Sequence, residues 1–259
     1  MILITAHETF LNETAKRGHD DSLPVVLCAP MPKVKLVIFD IGGTIIEDHG
    51  EVLDAFSAAL EKNGIRATRQ ELTELKGASK LYVITRFVER QWGKEDAGNE
   101  ARIAKAYRDF KSQLENKFSN GGVKPIPGAA ATFAWLKARG IVCATTTGFY
   151  RSVTDLILKS AGWQDTFAAN ICSDDVKDGR PAPYMIFRAM EATGIADVRE
   201  VLNIGDTRLD LQAGTRAGVL GVIGVLTGIQ KEDRLLPESP SQLISSVADI
   251  PTLIETHYS

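Results

Sequence analysis

Asp40 stands where the apolar run Leu36, Val37, Ile38, Phe39 gives out, just ahead of a turn made of Gly42, Gly43 and Thr44. A short continuous run of β-branched and aromatic residues reads as a parallel strand buried on both faces. Open α/β sheets bind ligands at the carboxyl ends of such strands, so this carboxylate is placed to act as a reagent. Three further segments follow in chain order. IVCATTTG ends a second β-rich run in Thr145, Thr146, Thr147 and Gly148, bringing hydroxyls and backbone N–H groups to another strand end. In DDVKDGRPAPYMIF, Arg180 precedes two prolines that cannot enter a helix interior but can lead into one. VLNIGDTRLD sets Asp206 after an apolar strand, with Asp210 one helical turn on. A nucleophilic carboxylate, a hydroxyl to orient an anion, a fixed cation and a second acidic pair suit phosphoryl or phosphonyl transfer. The expected route is a covalent acyl phosphate, with a hard divalent cation between Asp40 and Asp206.

In this order, over residues 35 to about 225, the four segments resemble the motifs of the haloacid dehalogenase superfamily. The resemblance implies an α/β fold with a Rossmann-like parallel sheet core and an inserted helical cap, and Mg2+ as the cofactor. It makes Asp40 the nucleophile. It gives the metal to Asp40, Asp206 and the Gly42 carbonyl, with Asp210 behind them and Gly43 and Thr44 supporting the turn. Thr147, or Thr146 if the register is shifted by one, would bind the phosphorus oxygens beside Gly148, and Arg180 would offset the charge of the pentavalent centre.

Glycine at position 42 narrows the chemistry. Most phosphatases of the superfamily carry a second Asp there to protonate the leaving alkoxide and then activate water, and glycine can do neither. The phosphonoacetaldehyde hydrolase family also lacks that acid and has arginine where relatives have lysine. DIGGT, GRPAPYMIF and IGDTRLD are similar to its motifs. That family needs a cap lysine, because a carbon leaving group is expelled only when an iminium nitrogen accepts its electrons. In LKGASKLYVI the resemblance assigns this role to Lys80. Gly77 would let the insertion approach the core, and Ser79 would cap a helix starting at Lys80. Desolvation near a helix N-terminus disfavours the ammonium and frees the amine as a nucleophile. Val83, Phe149 and Gly50 depart from the family's histidine, tyrosine and cysteine, so the expected substrate is a substituted 2-oxoalkyl phosphonate.

The elements that must position these groups follow from periodicity. Residues 49–123 are too many for a loop and are patterned as helices. EVLDAFSAALEKNG puts Val52, Leu53, Phe56, Ala59 and Leu60 on one face and stops at Asn63 and Gly64. The division expected is a core of 33–48 and 124–259 with the cap at 49–123. In the core, helices are expected near 150–161 and 182–193, a strand near 167–171, and a last buried strand in GVLGVIGV. The polar stretch 228–241 should lead to a C-terminal helix. Residues 1–32 read as a poorly ordered extension with neither the basic start nor the apolar length of a secretion signal.

At 259 residues, 44% hydrophobic and 24% charged, the chain can bury a large core. A net charge of −3 argues against nucleic acid or an anionic membrane as partner, and no apolar run is long enough to span a bilayer. Cys28, Cys143 and Cys172 are unclustered and read as free thiols in a reducing cytoplasm. The expected partner is a small organophosphonate or phosphate, with a homodimer left open. Two other readings compete: a phosphate-ester phosphatase, which shares every core residue, and a non-catalytic binding protein, which would be expected to have lost Asp40 or Asp206.

Overall fold

The structure, a computed structural model, describes residues 34–258. The expected N-terminal extension and Cys28 lie outside the described residues. The first strand, β1 (Leu36–Phe39), is wholly buried. Leu36 and Ile38 pack into one apolar cluster and Val37 and Phe39 into another, on opposite faces of the sheet. This two-sided burial explains why the run is continuous rather than alternating.

Four helices follow before the chain returns to the sheet: α1 (Glu51–Lys62), α2 (Arg69–Glu74), α3 (Lys80–Trp92) and α4 (Asn99–Gly121). α1 buries the five residues that its periodicity selects, and Asn63 and Gly64, with φ of 65° at the glycine, end it. Its Phe56 stacks on Phe110 of α4, ring centroids 4.2 Å apart, and α3 adds Val83, Ile84, Phe87 and Val88 to the apolar interior. The apolar side chains of the insertion thus pack together and run on into the cluster that covers the Val37 and Phe39 face of the sheet. One expectation is corrected. Ser79 occupies the N-cap position of α3, but its side chain makes no capping hydrogen bond.

Beyond the insertion, strands and helices alternate. α5 (Ala129–Ala138), β2 (Val142–Thr147), α6 (Arg151–Ser160) and β3 (Ala169–Cys172) come first. After them come α7 (Tyr184–Thr193), β4 (Val201–Gly205), α8 (Arg208–Ala217) and β5 (Gly221–Val225). The chain closes with α9 (Glu232–Leu235), β6 (Gln242–Ile244) and α10 (Ile250–His257). All sheet pairings are parallel, in the order β3-β2-β1-β4-β5-β6. This is the α/β sheet expected, and it goes one strand further. β6 was not anticipated, because three half-exposed residues at a sheet edge carry no apolar run. Cys143 and Cys172 are free and buried, as expected, and burial pushes their thiols up to about 12 and about 11.

Candidate active site

In this strand order the connections reverse direction between β1 and β4, which is where a doubly wound sheet opens a crevice at its carboxyl edge. Asp40 follows β1 and Asp206 follows β4, one on each side of that opening. The Asp40 N–H donates to the Ile204 carbonyl at 2.9 Å, continuing the β1–β4 ladder to the nucleophile candidate itself. Asp210 joins them because Thr207 opens α8 with a reciprocal cap: its hydroxyl accepts from the Asp210 N–H while the Asp210 carboxylate accepts from the Thr207 N–H. Oxygens of Asp40, Asp206 and Asp210 lie within 4.8 Å of one another, all buried.

Arg180 enters from the segment before α7 with its side chain 3% exposed. Its Nη1 donates to Asp40 Oδ1 at 2.6 Å and lies 2.6 Å from Asp210 Oδ1, the latter as an ion pair without hydrogen-bond alignment. Its Nη2 donates to the Thr146 carbonyl at 2.7 Å and hydroxyl at 2.8 Å. Thr146 thus holds the arginine. Thr147 instead lines the cavity in front of Asp40, its hydroxyl accepting from the Phe149 N–H at 3.1 Å. The two threonines left open by the sequence are separated by what each one faces.

Asp206 is fully buried. Its Oδ1 accepts from the Thr44 hydroxyl at 3.3 Å, while Oδ2 has no hydrogen-bond partner. The side chain sits against two glycines. A Cβ on Gly43, whose φ is 87°, would come within 2.5 Å of Oδ2, and one on Gly228 within 1.8 Å. Burial first, and then the charge of Asp40, raises its carboxyl well above the usual range. Burial likewise raises Asp210 to about 6, against the opposing pull of Arg180. Three buried acids, with Asp206 Oδ2 and Asp210 Oδ1 both lacking a hydrogen-bond donor and a single arginine between them, are a donor set that fits a hard divalent cation.

The insertion closes over this edge. Gly77, at φ of 89°, presses on Thr207 so closely that a Cβ would lie 2.5 Å from its hydroxyl. A Cβ on Gly148 would meet the Gly77 and Ala78 carbonyls at 2.6 Å. The seam thus depends on one glycine from each side, and the expected close approach of Gly77 is realised. Lys80, 6% exposed, lines the cavity in front of Asp40 with Nζ 4.8 Å from the centre of the Phe149 ring and 3.4 Å from the Ala78 carbonyl. Burial, against the pull of Asp40 and with some help from Lys76 and Arg180, lowers its ammonium to about 8. The same Phe149 ring lies 3.4 Å from where a Cβ of residue 42 would be, so aromatic carbon occupies the surroundings of the missing acid. The cavity, about 30 Å3, is lined by Asp40, Gly42, Thr147, Lys80, Lys76 and Asp48 among others. That is room for one or two waters.

Lys76 and Asp48 were missed by the sequence reading. Their ammonium and carboxylate touch, with side chains 7% exposed each. Neither residue stands in a pattern that marks it: Lys76 lies in the non-helical link before Lys80 and Asp48 in the loop before α1.

Among known families, the model of the haloacid dehalogenase-like hydrolases matches residues 37–225. A phosphonoacetaldehyde hydrolase from Hahella chejuensis is 30% identical over 255 residues, covering 86% of each chain. Of solved structures, a phosphonoacetaldehyde hydrolase-like protein from Oleispira antarctica superposes with a TM-score of 0.75 at 25% identity, covering 88% of this chain and 90% of that one. A putative β-phosphoglucomutase from Bacteroides vulgatus gives 0.75 at 24% identity, with the same coverage, which is a likeness of fold.

Proposed function

The chain belongs to the haloacid dehalogenase-like hydrolases, and within that family we propose that it cleaves the carbon–phosphorus bond of a substituted 2-oxoalkyl phosphonate through a lysine imine and an aspartyl phosphate. The observation that carries this reading is Lys80: a buried lysine with its ammonium lowered to about 8, in the same cavity as Asp40, where position 42 offers no acid.

The Lys80 amine adds to the substrate carbonyl and water departs, leaving an iminium ion. Asp40 attacks phosphorus, and as the carbon–phosphorus bond breaks its electron pair moves to the iminium nitrogen, giving an enamine. Protonation at carbon and hydrolysis return the carbonyl product and the free lysine. Water then attacks the aspartyl phosphate, releasing phosphate and restoring Asp40. Thr147 and Gly148 orient the phosphorus oxygens, while Arg180, held by Thr146, meets the charge that develops on them. Mg2+, with Asp40, Asp206 and the Gly42 carbonyl as ligands and Asp210 behind, would screen nucleophile and phosphonyl group from one another. Residues 49–123 act as a cap that parts to admit substrate and closes to bring Lys80 to Asp40. The buried free thiols suit a cytoplasmic setting.

Lys80→Arg tests the reading, because guanidinium keeps the charge but forms no imine. The expected result is loss of both oxo-phosphonate cleavage and borohydride-dependent inactivation, with phosphorylation of Asp40 by an activated phosphate ester retained. Near wild-type cleavage by the variant would overturn it. A phosphate-ester hydrolase is the second reading, and Asp48 favours it, since a carboxylate other than the nucleophile does line the cavity. Faster turnover of sugar phosphates than of oxo-phosphonates would establish that alternative.

A further inference from the structure

No bond made or broken in that chemistry involves Lys76 or Asp48, yet both line the reaction cavity. Asp48 lies on the segment between β1 and α1, where its Oδ1 accepts from the Gly50 N–H at 2.9 Å. Lys76 lies between α2 and α3. Its ammonium touches Asp48 Oδ2, but the approach is not aligned for a hydrogen bond, and no other group among the described residues supplies one. A buried ammonium with three N–H donors therefore stands beside a carboxylate with lone pairs to spare. Desolvating two charges is costly, and a well-packed apolar pair would serve stability as well, so a purely structural role is a weak reason for the arrangement.

We propose that Lys76 and Asp48 form a specificity subsite that takes a hydroxyl group on the substrate's carbon skeleton. This deepens the function proposed above, which it relies on for the chemistry at the neighbouring carbons. It makes the preferred substrate a hydroxylated 2-oxoalkyl phosphonate. The pair is neutral and offers a donor and an acceptor side by side. A hydroxyl accepts from Lys76 and donates to Asp48, so it satisfies both. A carboxylate would meet the charge of Asp48, an amine that of Lys76, and an alkyl group would leave both charges unsolvated.

Binding can be read without turnover by using phosphonates that lack the carbonyl. With Mg2+ present, calorimetry should find 3-hydroxypropylphosphonate bound about tenfold more tightly than propylphosphonate, the gain expected of a hydrogen bond to a charged group. The double variant Lys76→Met, Asp48→Asn removes both charges together and leaves neither buried alone. In it the two ligands should bind alike. Equal binding to the wild-type protein, a preference that survives in the double variant, or tighter binding of 3-carboxypropylphosphonate would each overturn the subsite. A pair that merely fastens the insertion would leave this ratio unmoved. The matching turnover comparison sets 3-hydroxy-2-oxopropyl phosphonate against 2-oxopropyl phosphonate, with the first expected to have about tenfold higher kcat/KM. If the ligand preference is present but neither compound is cleaved, the carbon–phosphorus reading fails while the subsite stands. If both are cleaved equally and the ligands bind equally, the reverse holds.

Discussion

Arg180 Nη1 lies 2.6 Å from an oxygen of Asp40 and 2.6 Å from one of Asp210, so the candidate nucleophile is held in place by a cation that a substrate's phosphorus oxygens would share. Asp40→Asn keeps an oxygen for that contact but cannot attack phosphorus. It should lower turnover by at least about 10³-fold, the scale of losing a nucleophile, while circular dichroism and thermal unfolding stay close to wild type. Retention of a tenth of the activity would place the nucleophile elsewhere. Lys80 gives a second expectation. Its folded pKa is lowered from 10.5 to about 8, so its reactive amine grows with pH and saturates above that value. Borohydride trapping should therefore rise about tenfold per pH unit up to about pH 8 and then level off. A flat profile between pH 6 and 9, or one still climbing at pH 10, would contradict a buried imine lysine. Asp40, Arg180 and Asp206 were legible because each follows an apolar run or precedes a proline that fixes its place in the chain. Lys76 and Asp48 were not, since their meaning lies in a contact between two separate loops that no local pattern announces.

The seam between the insertion and the sheet edge is an encounter of backbones, and this makes it testable with a methyl group. Gly148 does not adopt a left-handed conformation, so alanine is tolerated there by the local chain. Its Cβ would nevertheless meet the Gly77 and Ala78 carbonyls at 2.6 Å. Gly148→Ala should hold the insertion away from Asp40 and lower kcat/KM by about 10²-fold, as expected for a misplacement of about 1 Å. Global stability should change by no more than about 1 kcal/mol, as measured by urea unfolding. Unimpaired turnover would mean that Lys80 works without this closure. Most elements could be read in advance where burial leaves a signature: β1, β4 and β5 as apolar runs, α1 from its stripe and its Asn63-Gly64 stop. β6 could not, because its residues are half exposed. Ser79 illustrates the converse, with a residue type that favours capping placed at the right position and no capping hydrogen bond made.

At the scale of the whole molecule, strand order decides that Asp40 and Asp206 meet, and strand order is not written in any one segment. The motifs in sequence imply it only through resemblance, whereas the parallel sheet with β1 beside β4 brings it about. The arrangement gathers three buried carboxylates against Arg180, and this cluster should govern how stability responds to metal. Without a divalent ion, burial raises Asp206 well above the usual carboxylate value and raises Asp210 from 3.8 to about 6. An acid whose folded pKa exceeds its unfolded one favours the folded state most at low pH, and that contribution is lost as pH rises through the folded value. The metal-free protein should therefore lose stability from these groups as pH climbs from about 4 through 6 and beyond, while Mg2+ replaces the departing protons. The expected outcome is a Tm increment, Mg2+ against chelator, that is small near pH 5 and grows toward pH 8. At 100 times the Kd it would correspond to about 2.7 kcal/mol. Asp206→Asn removes one buried charge, so it should abolish most of the increment while leaving the metal-free Tm equal to or above wild type. An increment independent of pH, or one that survives in Asp206→Asn, would show that the ion binds away from these carboxylates.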